Sequence, residues 1–254
     1  MSLKERHRVD ELMDDPNLDP DKHRKALEGL RRLNRVSGVS GFLYRLLRKR
    51  SAQMNCSASR PIRLLDIASG SAEQPIEWMS RAKKDGWNLD ITTTDVSPTA
   101  IEVQNEASRA AGVSINAVQW NCIDSPVPSH WTTFDFVHCN LFFHHLEPAE
   151  ASGLLRTMMS VCHGWVVVCD LERSWPNLAM VNFAARTLSR SPIVHFDASA
   201  SVRGAYTTDE FRKLAHQALD WDIDVRRLFP CRFVATVPAS TVRAAEPANA
   251  LAFA

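Results

Sequence analysis

The chain has 254 residues, a formal net charge of +1 and 23% charged residues, values that are ordinary for a globular protein. The near-zero charge gives no reason to expect nucleic acid as a partner. No apolar run approaches the roughly 18 residues of a membrane span, so no stable membrane insertion is expected. The six cysteines form no C-x-x-C pair, and the N-terminus is charged from Lys4, so a cytoplasmic protein with reduced thiols is expected.

Residues 1–60 are polar and are expected to form a helical lid or cap. The stretch "DPDKHRKALEGLRRLNRVS" spaces apolar side chains along one helix face behind a possible N-cap at Asp19 or Asp21. "SGFLYRLLRKR" predicts a second short helix. Eleven Lys or Arg and one acidic residue lie between Lys22 and Arg60. This run is either a solvated helix face or a basic lid over an anionic or lipid-like substrate.

Residues 61–240 are predicted to form one α/β domain. The apolar strands "IRLLDIA", "LDITTTDV", "INAVQWN", "FDFVHCN" and "WVVVCDL" alternate with helices. Such βαβ repeats require a mostly parallel, doubly wound sheet with right-handed crossovers. "WDIDVRRLF" and "CRFVATVPA" then predict an antiparallel hairpin that finishes the sheet.

Residues 171–206 interrupt this alternation and are interpreted as an insertion that covers the substrate. The stretch "NLAMVNFAARTLS" predicts a helix, and the residues after it predict a loop. The alternation resumes with "TTDEFRKLAHQAL", a helix capped by Thr207 or Thr208. Residues 241–254 are alanine-rich and are expected to be a flexible tail.

Polar side chains recur at the carboxyl ends of the predicted strands, where ligands bind in sheets of this kind. The first turn, "DIASGSA", has one glycine, Gly70, where dinucleotide fingerprints have two or three. Ala68 and Ala72 fit a tight turn there if their φ angles stay negative. Asp95 follows Asp66 by 29 residues, where a carboxylate can accept from both ribose hydroxyls. The polar residues at strand ends are Asp66, Asp95, Asn121, Asn140 and Asp170. Together they favour a nucleoside-binding site.

The segments "DIASGSA", "TTDVS" and "FDFVHCNLFFHHL", in this order, resemble class I S-adenosylmethionine-dependent methyltransferases. The third segment is the most specific of them. "RRLNRVSG" also resembles the lid helix of quinone-biosynthesis methyltransferases. The resemblance covers residues 25–240. It implies a Rossmann-like, seven-stranded sheet with an antiparallel terminal hairpin. It also implies S-adenosyl-L-methionine as cofactor, with S-adenosyl-L-homocysteine as product.

The resemblance also implies which residues contact the cofactor. Those of the first turn would flank the methionine portion, those after the second strand would hold the ribose and adenine, and a later pair would form the adenine rim. One residue at the end of the fourth strand would lie near the sulfonium. In chain order they are Asp66, Ala68, Ser69, Gly70, Asp95, Val96, Asn121, Cys122 and Asn140.

Methyl transfer from a sulfonium requires orientation and desolvation, and a base only where the acceptor must lose a proton. His144 is the predicted catalytic base, since it follows Asn140 by four residues on the loop that faces the methyl group. His145 is expected to turn inward. No third ligand lies at a telling spacing from the two histidines, so no metal is expected. The predicted substrate-binding residues are His145, Asp170, Arg173 and His195.

The predicted reaction is O-methylation of a small aromatic or phenolic acceptor, since Phe142, Phe143 and Trp175 are placed at the rim of the site. C-methylation of a quinol or lipid-like ring is an alternative. A catalytically silent, cofactor-binding scaffold is another, favoured by the missing glycines. An NAD-dependent oxidoreductase is the last, although the loop breaks its G-x-G-x-x-G spacing. The sequence leaves open whether the protein is a monomer or a homodimer.

Overall fold

A computed structural model describes residues 3–15, 17–54 and 60–239. The predicted tail at 241–254 and one of the cysteines, Cys56, lie outside these residues. The helices are α1 (Pro20–Ser37), α2 (Val39–Ser51), α3 (Glu73–Asp85), α4 (Pro98–Ala110), α5 (Pro148–Ser160), α6 (Trp175–Leu188), α7 (Pro192–Gly204) and α8 (Thr208–Leu219). The strands are β1 (Ile62–Ile67), β2 (Leu89–Asp95), β3 (Asn116–Gln119), β4 (Phe134–Asn140), β5 (Cys162–Leu171), β6 (Asp224–Leu228) and β7 (Arg232–Pro238). Short 3-10 helices cover Leu12–Asp14 and Phe143–His145.

The seven strands form one sheet in the order β3-β2-β1-β4-β5-β7-β6. The first five strands pair in parallel, while β7 pairs antiparallel with both β5 and β6. This confirms the predicted fold class, including the antiparallel terminal hairpin. The strand order reverses between β1 and β4, and ligands of doubly wound sheets bind at such a switch point.

Two apolar layers cover the faces of the sheet, because successive side chains of a strand point to opposite sides. Leu65 belongs to the layer that contains α5 and α8, and Leu64 to the layer on the opposite face. The second layer includes Leu43 and Leu47 of α2, which are fully buried. Helix α2 is therefore part of the core, and the proposed role of a lid falls to α1.

Capping residues place the helices as the sequence indicates. Asp19 is the N-cap of α1, and its side chain accepts from the backbone N–H of Lys22 at 3.0 Å. Thr207 caps α8 in a reciprocal capping box with Glu210. Each cap satisfies backbone N–H groups that have no partner inside the helix.

The predicted loop after α6 is wrong, because α7 forms there. Ser191 is its N-cap residue and Pro192 its first residue, a position that proline tolerates well. Val194 and Val202 are fully buried. The buried face otherwise consists largely of small residues, so the sequence has little hydrophobic periodicity to predict a helix. The insertion is thus a helical hairpin of α6 and α7. Within the described ranges, no helix is long and apolar enough to cross a bilayer.

Candidate active site

The turn after β1 is a left-handed loop at the switch point of the sheet. Ala68, Gly70 and Ala72 have φ angles of 54°, 54° and 52°. The condition under which the two alanines fit the turn easily, a negative φ, is therefore not met. A left-handed conformation costs an alanine about 1–2 kcal/mol, so neighbouring contacts must hold the turn. The Gln104 side chain donates to the Gly70 carbonyl at 2.9 Å, and the Ser69 N–H donates to the Thr94 carbonyl at 2.8 Å. Backbone strain held in this way is characteristic of binding sites.

Asp95, at the end of β2, braces this loop. One carboxylate oxygen accepts from the Gly70 N–H at 2.9 Å, and the other accepts from the Ser97 N–H at 3.0 Å. Burial raises the pKa of Asp95, while the two N–H groups favour its charged form. A carboxylate offers about four lone-pair sites, so acceptor capacity remains for two hydroxyl groups. The neighbouring Val96 is 60% exposed and offers an apolar surface.

A cavity of about 140 Å³ lies between this loop, the end of β4 and helix α1. Leu27 and Leu30 of α1 line its lid side. A Cβ atom built on Gly70 would meet no described atom within 4 Å, so the cavity leaves space beside that backbone. The predicted cofactor residues that line the cavity are Asp66, Ala68, Ser69, Gly70 and Asn140.

Two polar side chains at this cavity suit the amino-acid end of the cofactor. Within the described part of the chain, the buried Oδ1 of Asn140 has no hydrogen-bond partner, although buried acceptors are nearly always paired. An ammonium group in the cavity could supply the missing donor. Asp66 is buried and lies 2.5 Å from Nδ1 of His138, a neighbour in β4 that the sequence analysis missed. The residues therefore fit S-adenosylmethionine.

Asn121 and Cys122 lie after β3 and do not belong to the lining of this cavity. The Asn121 side-chain oxygen accepts from the N–H groups of Ile123 and Asp124, so it shapes the turn. Burial raises the pKa of Cys122 to about 12, so its thiol stays neutral. Their predicted place at the adenine rim remains a prediction.

His144 belongs to a buried chain of charged groups. Its Nδ1 lies 2.6 Å from Oδ1 of Asp170, and its backbone N–H donates to the other oxygen of that carboxylate at 3.1 Å. Its Nε2 lies 3.4 Å from Oε1 of Glu11. Burial opposes the charged imidazole, but the two carboxylates outweigh it and raise the pKa of His144 to about 10. In this arrangement the ring carries a proton at neutral pH.

The two adjacent histidines are oriented opposite to the expectation. The His144 side chain is 4% exposed, whereas that of His145 is 19% exposed. Asp170 ends up inside, as the partner of His144, and its pKa lies below the ordinary value because the imidazole outweighs the effect of burial. Within the described ranges, none of these three side chains lines the cavity at the loop.

Arg173 and His195 have structural partners in this fold. The Arg173 side chain is 1% exposed, and its guanidinium donates to both carboxylate oxygens of Glu210 at 2.5 and 2.9 Å. It is thus unavailable to an anionic acceptor, which corrects the prediction. His195 places Nε2 2.8 Å from the Ser189 carbonyl, beside the end of α6. This contact favours a structural role.

The N-terminal segment, residues 3–15, supplies a site residue that the sequence analysis missed, Glu11. Arg6 donates to the carbonyls of His144 and Leu146 at 3.0 and 2.7 Å, and Arg8 donates to the carbonyl of His145 at 2.7 Å. These bonds hold the segment against the loop after β4. No local pattern around Glu11 indicates this contact, because its partners lie more than 130 residues away.

A family model described as "Methyltransferase domain" matches residues 64–164. The match includes the left-handed loop, Asp95 and Asn140. Residues 64–164 are a methyltransferase domain, in a sheet of the class I fold. The resemblance to class I S-adenosylmethionine-dependent methyltransferases is thereby confirmed, together with the enzyme class and the cofactor. The likeness of the N-terminal helix to quinone-biosynthesis methyltransferases stays a prediction.

Solved methyltransferase structures share the fold at low sequence identity. The plantazolicin methyltransferase BpumL, solved with a triazolic desmethylPZN analogue and S-adenosylhomocysteine, has a TM-score of 0.64 and 16% identity, over 87% of this chain and 92% of that chain. The magnesium protoporphyrin IX methyltransferase ChlM from Synechocystis PCC 6803 has a TM-score of 0.55 and 10% identity, over 80% and 83%.

A provisionally assigned O-methyltransferase from Nostoc punctiforme PCC 73102 has a TM-score of 0.61 and 18% identity. The alignment covers 91% of this methyltransferase and 63% of the Nostoc protein, so it spans less than two thirds of that protein's length. A search of curated proteins found no significant match.

Proposed function

We propose that this methyltransferase transfers the methyl group of S-adenosylmethionine to an oxygen of a small aromatic acceptor, most simply a phenolic hydroxyl. The observation that carries the proposal is the position of the Asp170–His144 pair. His144 follows the end of β4, which bears Asn140, and Asp170 lies near the end of the neighbouring β5. A pair of residues that can exchange a proton therefore lies next to the end of β4, which lines the cofactor cavity.

Different residues around the cavity would bind different parts of the cofactor. Asp66 and Asn140 would hold the methionine end of the cofactor, and Asp95 would hold the ribose with Val96 against the adenine. Bound in this way, the cofactor supplies the methyl group, whose bond to sulfur breaks as its bond to the acceptor oxygen forms. Leu27 and Leu30, on the α1 side of the cavity, would exclude water, which favours a displacement at an uncharged acceptor.

His144 is the proposed residue for the acceptor's proton. Asp170 fixes the ring through Nδ1, so Nε2 is the atom left to exchange partners. Its contact with Glu11 is long, at 3.4 Å, and is the weaker of the two. An ordinary phenol has a pKa of about 10, close to the value of about 10 for His144. The imidazole can accept the phenol's proton only in its neutral form. An acceptor hydroxyl that takes the place of Glu11 at Nε2 would favour this form, because it removes one of the two carboxylates that raise the pKa of His144.

The nature of the acceptor is inferred from two further points. Phe142 lies beside His145, with ring centroids 5.9 Å apart, and offers an aromatic face near the end of β4. By contrast Phe143 is buried against Phe211, and Trp175 is exposed at the start of α6. One of the structural neighbours is provisionally assigned as an O-methyltransferase. These points favour an aromatic O-acceptor over a lipid-like ring.

The test is product analysis with purified protein, S-adenosylmethionine and a panel of phenols and quinols. We expect methylated oxygen, and His144→Gln should lower the rate about 10²–10⁴-fold, the usual contribution of a general base. S-adenosylhomocysteine affinity should be unchanged in that variant. His216→Gln is the matched control, since His216 pairs with Asp222 at the surface. A methyl group on ring carbon would refute the O-methylation, and cofactor binding without any turnover on the panel would support the scaffold instead.

A further inference from the structure

We propose that Glu11, His144 and His145 form a binding site for one divalent transition-metal ion of the Zn²⁺ class. One ligand atom from each residue lies within 4.8 Å of the others. Glu11 comes from the N-terminal segment, and the histidines come from the 3-10 helix after β4. The fold thus supplies the third ligand that the sequence spacing did not predict. The inference concerns metal binding and does not depend on the identity of the methyl acceptor.

The separations between these atoms suit an ion better than a direct hydrogen bond. Oε1 of Glu11 lies 3.4 Å from Nε2 of His144 and 3.9 Å from Nε2 of His145. Zinc bonds nitrogen and carboxylate oxygen at about 2.0–2.2 Å, so neighbouring ligands of a tetrahedral site lie roughly 3.3–3.6 Å apart. The separation of 3.4 Å between Glu11 and His144 already lies in this range. The second separation requires a shift of about half an ångström, which a side-chain rotation supplies.

Residues behind the proposed ligands hydrogen-bond to His144 and Glu11 and fix their orientation, as metal sites require. Asp170 accepts from Nδ1 of His144 at 2.6 Å, which leaves Nε2 facing Glu11, where a bound ion would take the place of the Nε2 proton. A carboxylate behind a ligating imidazole is the usual arrangement in metal sites. The hydroxyl of Ser201 donates to Oε1 of Glu11 and fixes that carboxylate. The two histidine rings lie side by side, with centroids 4.2 Å apart.

The backbone around Glu11 is held in place by bonds that do not involve the proposed ligand atoms. The N–H groups of Leu12 and Met13 donate to the two carboxylate oxygens of the buried Asp197, at 2.8 and 3.2 Å. Arg8 and Arg6 fix the carbonyls of the histidine loop on the other side. The proposed site is therefore largely preformed, and an ion would join the N-terminal segment to the loop after β4.

The ligand set indicates the class of ion and the chemistry open to it. Two imidazoles and one carboxylate suit Zn²⁺, Fe²⁺ or Co²⁺, whereas Mg²⁺ and Ca²⁺ prefer oxygen ligands. Three protein ligands leave at least one position for water or for an acceptor oxygen. In such a site Nε2 of His144 would be a metal ligand instead of a proton acceptor, and an acceptor hydroxyl bound to the ion would lose its proton to water, because coordination lowers its pKa.

The experiment is equilibrium binding of Zn²⁺ to the full chain stripped with chelator, with Co²⁺ as a spectroscopic probe. We expect one Zn²⁺ per chain, a rise in Tm that chelator reverses, and Co²⁺ absorption bands of a nitrogen- and oxygen-ligated site. Glu11→Gln and His145→Ala should each weaken Zn²⁺ at least about tenfold, as should Asp170→Asn through the orientation of His144. His216→Ala, which alters a surface histidine paired with Asp222, is the matched control and should bind normally.

Two results would overturn the site: no stoichiometric binding at micromolar Zn²⁺, or binding that is equally tight in both ligand variants. Where His145→Ala does not fold, judged by thermal melting without metal, His145→Gln replaces it. No turnover is measured, so failure of the metal site leaves the proposed methyl transfer intact. Conversely, an inactive protein that binds one Zn²⁺ with the expected variant pattern supports the site alone.

Discussion

Replacing Asp95 with asparagine tests whether its carboxylate holds the ribose. Both carboxylate oxygens already accept backbone N–H groups, from Gly70 and Ser97. In Asp95→Asn the new amide NH₂ must replace one of these oxygens, so it faces an N–H group and cannot accept from a hydroxyl. A hydrogen bond to a charged acceptor contributes about 1.5–3 kcal/mol. We therefore expect S-adenosylhomocysteine to bind roughly 10–150-fold more weakly, since 1.4 kcal/mol corresponds to a factor of ten.

Isothermal titration calorimetry measures this loss, and thermal unfolding without ligand separates it from damage to the loop. Total stability is ordinarily about 5–15 kcal/mol, so a variant that loses about 2 kcal/mol remains folded at 25 °C and its Kd stays interpretable. Asp90→Asn is the matched control, because it makes the same change on an exposed residue of the same strand. An Asp95→Asn protein with a native Tm and an unchanged Kd would refute the ribose assignment.

Two further predictions concern the loop and the acid stability of the sheet. Gly70 and Gly112 both have positive φ and open space at Cβ. Gly70→Ala and Gly112→Ala should therefore each lower the free energy of unfolding by about 1–2 kcal/mol in denaturant, while only Gly70→Ala should lower the affinity for S-adenosylhomocysteine. An equal affinity in both variants would show that the loop does not contact the ligand. Burial of Asp135 raises the pKa of its carboxyl, but the hydrogen bond from Arg60 at 2.7 Å outweighs burial and holds that pKa below the ordinary value. The ionised carboxylate therefore stabilises the fold above pH ~4, and this contribution is lost as the pH falls through its lowered pKa. Asp135→Asn should cost roughly 1–3 kcal/mol at pH 7 and less at pH 3, and an equal cost at both would contradict the assignment.

The strands and the polar residues at their ends were predictable because both depend on local pattern. Apolar runs of strand length end at Asp66, Asp95 and Asn140, and parallel topology brings such ends to one edge. The left-handed φ of Ala68 could not be predicted, since an alanine gives no local signal for that conformation and long-range contacts impose it.

The remaining differences have the same origin in tertiary contacts. Helix α7 buries mainly small residues, so its packing rather than its periodicity determines it. The burial of His144 depends on Asp170 in the next strand and on Glu11 from the start of the chain. Neither contact has a sequence spacing that a local pattern could reveal.

The N-terminal segment also has a consequence for the order in which the molecule assembles. The cofactor loop is closed by contacts within the first half of the chain, such as Gly70 to Asp95, 25 residues apart. The contact of Arg6 with the Gly204 carbonyl, at 2.6 Å, spans 198 residues. Non-local contacts form late, because a long loop must close before they are gained. During synthesis the cofactor loop can therefore take shape first, whereas the bonds of Leu12 and Met13 to Asp197 of α7 can form only after α7 has left the ribosome.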